Sequence, residues 1–181
     1  MKVAAACLPC MVHRAYREVC HATEDQELRM KVMMEVAKLL AREFRPEAVP
    51  AVVGTYRDRL IKELTGSPDP YKAVKEASNR AALELVPWAE RYISSAGTSF
   101  ERFRRAALCA IAGNAMEFDI LGHQFRVEGL AGMLASAEHN LGIDHLRAIY
   151  GAAKRAREVL YLTDNAGEIA FDVLLVRELR A

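Results

Sequence analysis

Residues 159–168 read Val159-Leu160-Tyr161-Leu162-Thr163-Asp164-Asn165-Ala166-Gly167-Glu168. The first five form a short apolar run rich in strand formers, and the next four are turn formers. Beyond them Ile169, Val173, Leu174 and Leu179 return at helical spacing. The pattern is strand, loop, helix. A continuous apolar strand is normally covered on both faces in a parallel sheet and takes its hydrogen bonds from neighbouring strands. No other segment reads convincingly as a strand. The expectation is therefore a mainly α chain in two parts: a helical domain over 1–157, then the first βα unit, over 158–181, of an α/β domain that stays incomplete here.

Working outward, the period is helical almost everywhere upstream. Leu28, Val32, Val36 and Leu40 recur every four residues, widened by Met33 and Leu39. Thr23 and Gln26 stand before them at capping-box spacing, and Arg45-Pro46 ends the run. A second helix opens near Pro50, carries Val52, Val53, Tyr56, Leu60 and Leu64 on its apolar side, and stops at Gly66. Asp69-Pro70 starts a third, with Val74, Ala77, Ala81 and Leu85 marking the buried side up to Pro87. Thr98 and Glu101 form another capping box before Phe103, Ala107, Leu108 and Ile111, and Gly113 stops that pattern. Helical period returns over 127–137 and 144–156. Short connections predict antiparallel neighbours.

Composition sets the outer bounds. The 181 residues carry 25 Lys plus Arg against 24 Asp plus Glu, a net charge of +1, with 52% hydrophobic and 27% charged residues. That balance suits a soluble globular chain and argues against nucleic acid as a partner, which would require a basic excess. No uncharged stretch approaches the roughly 20 residues that span a bilayer, so no membrane role is expected and the default address is the cytoplasm. Four cysteines are too few for a disulfide framework in a chain of this length.

Four clusters could carry chemistry. Asp164-Asn165-Ala166-Gly167-Glu168 places a carboxylate and an amide carbonyl, hard ligands suited to Mg²⁺, beside a helix start expected to present N–H groups to phosphate. The same residue types also make an ordinary turn and cap. Gly113-Asn114-Ala115-Met116-Glu117-Phe118-Asp119 puts three polar side chains between apolar flanks, either converging on a site or forming a solvated turn. Asp69-Pro70-Tyr71 precedes Lys75 and Asn79, which share a helix face. Cys7-Leu8-Pro9-Cys10 is a possible thiol site: with Pro9 as the first helical residue, Cys10 falls in the first turn and Cys7 in the turn before it. Cys20, ten residues and about 15 Å further along a helix, cannot join that pair around one zinc ion.

In this order the motifs resemble the metal-dependent damage-control phosphatases, in particular their stand-alone, cysteine-pair-bearing branch, related to the phosphatase domain of some pantothenate kinases. The match is collinear along the chain and resembles only the N-terminal part of the family. The resemblance implies a helical domain set against a Rossmann-like α/β domain with a divalent metal (Mg, Mn, Co or Ni) between them. It implies Asp164 and Asn165 as metal ligands, with Asp164 also open to a catalytic role as nucleophile or base. Asn114, Glu117 and Asp119 would bind substrate or metal-bound water, Glu168 would fix the loop and Lys75 would contact phosphate. The implied activity is hydrolysis of small phosphometabolites such as sugar phosphates or phosphopantetheine-like esters. The family's third aspartate ligand and its phosphate-gripping lysine belong to segments absent from these 181 residues. The chain is therefore expected to be inactive alone, with a separate chain as one possible source of the missing half. The rival reading is a non-catalytic helical module with a cysteine-pair metal or redox site and a protein-interaction surface.

Overall fold

The computed structural model describes residues 1–115 and 127–181. Among them the chain forms eight helices and no strand, divided into two compact units, Met1–Ala73 and Val74–Ala181.

The first unit packs α1 (Cys7–Ala22), α2 (Gln26–Glu43) and α3 (Pro50–Thr65) against one another. Met11, Ala15 and Val19 of α1 meet Val32, Val36 and Leu40 of α2, the stripe expected from four-residue spacing, together with Val53 and Ile61 of α3. The start of α2 differs from the expected capping box. Asp25 is the cap, its Oδ1 accepting the N–H groups of Glu27 at 2.9 Å and Leu28 at 3.2 Å, while Thr23 Oγ1 accepts from the N–H of Asp25. A carboxylate immediately before the helix satisfies two of its first-turn donors, which the expected Thr23–Gln26 pair would have left to other partners. The buried face of α3 is also rotated from expectation. Val53, Arg57 and Ile61 point inward, whereas Val52 and Tyr56 are exposed. Gly66 closes this helix at φ +66°, the left-handed cap its position suggests.

Nearly all of α4 (Lys72–Ser94) lies in the second unit, with α5 (Ser99–Ala115), α6 (Val127–Asn140), α7 (Leu146–Arg155) and α8 (Ile169–Arg180). Helix α4 runs through Pro87 instead of ending there. The carbonyl that Pro87 leaves without a partner is that of Leu83, a residue 59% exposed, so water can take the lost bond. The Thr98–Glu101 capping box forms reciprocally, at 3.0 and 3.1 Å. Gly113 does not stop α5, which continues to Ala115. Its missing side chain admits Phe171 of α8: a Cβ there would lie 2.7 Å from the ring. Helices α5 and α8 form the main contact of this unit around Leu108, Cys109, Ala112, Phe171 and Leu174.

The expected strand is the principal correction. Residues 158–164 carry no regular secondary structure, and Val159, Leu160 and Leu162 are 53%, 84% and 81% exposed. A strand exists only through its ladder, and among the described residues no second strand offers one. The helix after the loop forms as expected. Residues 158–181 fall inside the second unit, where α8 packs on α5. Among the described residues, no helix is long and apolar enough to cross a membrane.

Candidate functional site

The loop at 164–168 is tied to two helices before it runs into α8. Gly167, at φ +84°, adopts a conformation that residues with a Cβ rarely accept. Its N–H donates to Oδ1 of Asn79 on α4 at 2.8 Å. Glu168 Oε2 receives the Nδ2 of Asn114 from the end of α5 at 2.9 Å, and the Nδ2 and backbone N–H of Asn165 at 3.2 and 3.4 Å. One carboxylate oxygen thus gathers three donors and joins α5 to the loop. Asp164 and Asn165 remain exposed at the tip.

Beneath the loop, Tyr161 donates its hydroxyl to Asp172 Oδ1 at 2.7 Å. Asp172 is buried in α8 and its carboxyl is raised above the usual range, first by burial and then by the nearby charges of Glu168 and Asp164. The Tyr161 hydrogen bond pulls the other way. Burial and the bond to Asp172 also push the Tyr161 hydroxyl up. The carboxyl groups of Asp164, Glu168 and Asp172 therefore lie near one another.

The expected phosphate cradle at the start of α8 is not what forms. The N–H groups of Ile169, Ala170, Phe171 and Asp172 donate to the carbonyls of Asn165, Gly167 and Glu168, and that of Gly167 is held by Asn79. The loop satisfies the helix end itself, as helix termini require of some partner. What remains at the tip is oxygen: the Asp164 carboxylate, and the amide carbonyl of Asn165, whose Nδ2 is engaged by Glu168. That donor chemistry fits a small hard divalent cation. Among the described residues, no three His, Cys, Asp or Glu side chains converge as a complete metal set.

Of the other expected residues, Lys75 lies on the exposed side of α4, one turn before Asn79. Glu117 and Asp119 lie outside the described residues. Asp69 does not begin the helix directly: its carbonyl accepts the N–H of Lys72, where α4 starts. Cys7 is the first residue of α1, so Pro9 sits third in the helix and both cysteines occupy its first turn. Spacing does not pair Tyr161 with Asp172. The signal available in the sequence is an acid next to Phe171 on the inward side of α8, and a tyrosine hydroxyl within the apolar run before it.

The loop, held by Asn79 within α4 and by Asn114 at the end of α5, presents an exposed carboxylate and an amide carbonyl, both hard oxygen donors. The sequence model of the damage-control phosphatase ARMT1-like domain matches residues 3–181, and the chain belongs to that family. It is 31% identical over 181 residues to a damage-control phosphatase of Archaeoglobus fulgidus, covering 99% of this chain and 61% of that protein. With a damage-control phosphatase of Pyrococcus horikoshii the identity is 32%, over 99% of this chain and 60% of the relative. The crystal structure of a DUF89-family protein from P. horikoshii superposes with a TM-score of 0.85 at 33% identity, again over 99% of this chain and 60% of that one. The chain thus spans about three fifths of the length of the relatives it matches.

Proposed function

We propose that the chain carries the helical side and the metal-holding loop of a divalent-metal-dependent phosphatase acting on small phosphometabolites, such as sugar phosphates or phosphopantetheine-like esters. The supporting observation is the clasp on the 164–168 loop, by Asn79 from α4 and Asn114 from α5, which holds the exposed Asp164 and Asn165 on a braced backbone. Asp164 and Asn165 are the residues that would hold Mg, Mn, Co or Ni, which when bound neutralises charge on phosphoryl oxygens. Glu168 fixes the loop through its three donors. On this reading Asn114, Glu117, Asp119 and Lys75 would bind substrate, and the Asp164 carboxylate would also serve as nucleophile or base. On this reading the Cys7 and Cys10 pair goes with the family's cysteine-pair-bearing branch.

Asp164 and Asn165 supply two of a cation's ligands, and on this reading the others come from water, from the substrate's phosphate and from groups outside the described residues, in this chain or a separate one. The test is release of phosphate from a sugar-phosphate panel with each metal. It is run for the 181-residue chain alone and for the chain extended by the part of the P. horikoshii relative that it does not cover. Metal-dependent turnover is expected only in the extended form. Asp164→Asn should lower it by more than the roughly 10–100-fold typical of losing an outer-shell group. Turnover indifferent to metal or to Asp164→Asn would refute the assignment.

A further inference from the structure

The phosphatase reading leaves Cys7 and Cys10 without a task. Both lie in the first turn of α1, three residues apart, which in a helix sets their Cα atoms about 5 Å apart, within the span a disulfide bridges. Their environments differ. Cys10 is exposed, whereas Cys7 is half-buried against the core of the first unit and accepts the N–H of Ala4 at 3.4 Å. The helix end does not depend on either sulfur. The N–H groups of Cys7 and Leu8 are taken by the carbonyls of Ala4 and Ala5, at 2.8 and 3.2 Å, and Pro9 has none. Those two bonds already have the tight i to i+3 form.

Contraction is what a bridge here demands. Cβ atoms three residues apart on a helix lie about 5–6 Å from each other, while a disulfide brings them to roughly 4 Å. A bond that pulls its turn inward is strained and easily reduced, the property of a switching disulfide rather than a structural one. The other two thiols are poor competitors. Cys109 is fully buried and burial pushes its thiol up to about 12, and Cys20 is half-buried two turns and more from the pair.

We propose that Cys7 and Cys10 are a reversible dithiol–disulfide couple that exchanges with small-molecule disulfides of the glutathione type. The exposed Cys10 thiolate attacks one sulfur of the small disulfide, forming a mixed disulfide and releasing one small thiol. Cys7, as thiolate, then attacks the Cys10 sulfur, closing the intramolecular bond and releasing the second small thiol. Two electrons and two protons pass from the chain to the small disulfide, which leaves as two thiols. The proposal does not depend on the phosphatase activity.

The folded chain is incubated across a series of reduced-to-oxidised glutathione ratios, quenched in acid and mapped by mass spectrometry after alkylation. The expected product is a monomer lighter by two hydrogens with the bond between Cys7 and Cys10, which reopens in reduced glutathione without denaturant. Cys7→Ser should instead accumulate one glutathione on Cys10, and Cys10→Ser should slow modification of Cys7 at least about 10-fold, the exposed attacking thiol being gone. Persistence of both thiols at every ratio would overturn the proposal. So would first modification at Cys20, a bond between two chains, or a disulfide that reduced glutathione cannot reopen.

Discussion

Glu18 is a carboxylate carried on the buried side of α1. It is 2% exposed, and its carboxyl is pushed up to about 7 by burial first, then by the charge and hydrogen bond of Asp58, against the pull of Arg57 and Lys62. Arg57, also buried, binds Asp58 Oδ1 through two nitrogens at 2.9 and 2.6 Å and reaches the carbonyl of Met11 at 3.4 Å. Helices α1 and α3 therefore meet on a polar cluster set within the core of their unit. Between the ordinary carboxyl value of 4.5 and about 7, the folded chain keeps a proton that the unfolded chain has released. Stability must then fall as pH rises through that window and level off above it. Glu18→Gln, which retains a donor for Asp58 and cannot ionise, should raise stability at pH 8 by about 1–3 kcal/mol and change little near pH 4.5. Thermal unfolding across that range measures it, and an unchanged pH slope in the variant would acquit Glu18. None of this was legible in sequence. A glutamate at position 18 reads as one more solvated charge until the fold removes its water.

At the scale of elements, the α5–α8 contact ties the site to the core. Phe171 is fully buried and lies where any side chain at Gly113 would stand, and α8 begins at the loop that carries Asp164 and Asn165. Gly113→Ala should therefore cost about 1–3 kcal/mol by overpacking, and should also weaken binding of Mn²⁺ to the loop. Gly132→Ala on α6 is the matched control. Nothing lies within 4 Å of its Cβ, so the ordinary helix preference for alanine should make it neutral or stabilising by up to about 1 kcal/mol. Urea unfolding of both variants, with calorimetric Mn²⁺ titration, separates the two effects. Equal stabilities would mean that the close approach at Gly113 is not a constraint. Elements were legible where local signals decide them: the Val32, Val36 and Leu40 stripe, the Thr98–Glu101 box and the Gly66 cap all formed. They were misread where a neighbour decides. Gly113 looked like a helix stop and serves as a packing notch, and Pro87 looked like an end and is absorbed on a wet face.

At the scale of the whole molecule, the run at 159–163 leaves apolar side chains in water. Leu160 and Leu162 are more than four fifths exposed, and Val159 is more than half. Neighbouring apolar side chains left in water favour association. Sedimentation velocity over a concentration series should show self-association of the 181-residue chain. Replacing both Leu160 and Leu162 with Ser should reduce it without lowering the melting temperature by more than a few degrees, since neither side chain packs in the core. Persistent association in the double variant would place the contact elsewhere. The sequence alone determined the helical period, most helix ends, the motif order of the damage-control phosphatases and the candidate ligands Asp164 and Asn165, because these depend on residues within a few positions of one another. Tertiary structure alone decided that Asn79 and Asn114 clasp the loop, that Asp172 and Glu18 lose their water, and that 159–163 has no ladder. Each of these depends on which distant atoms come within hydrogen-bonding or van der Waals reach, and the spacing of residues along a chain does not contain that distance.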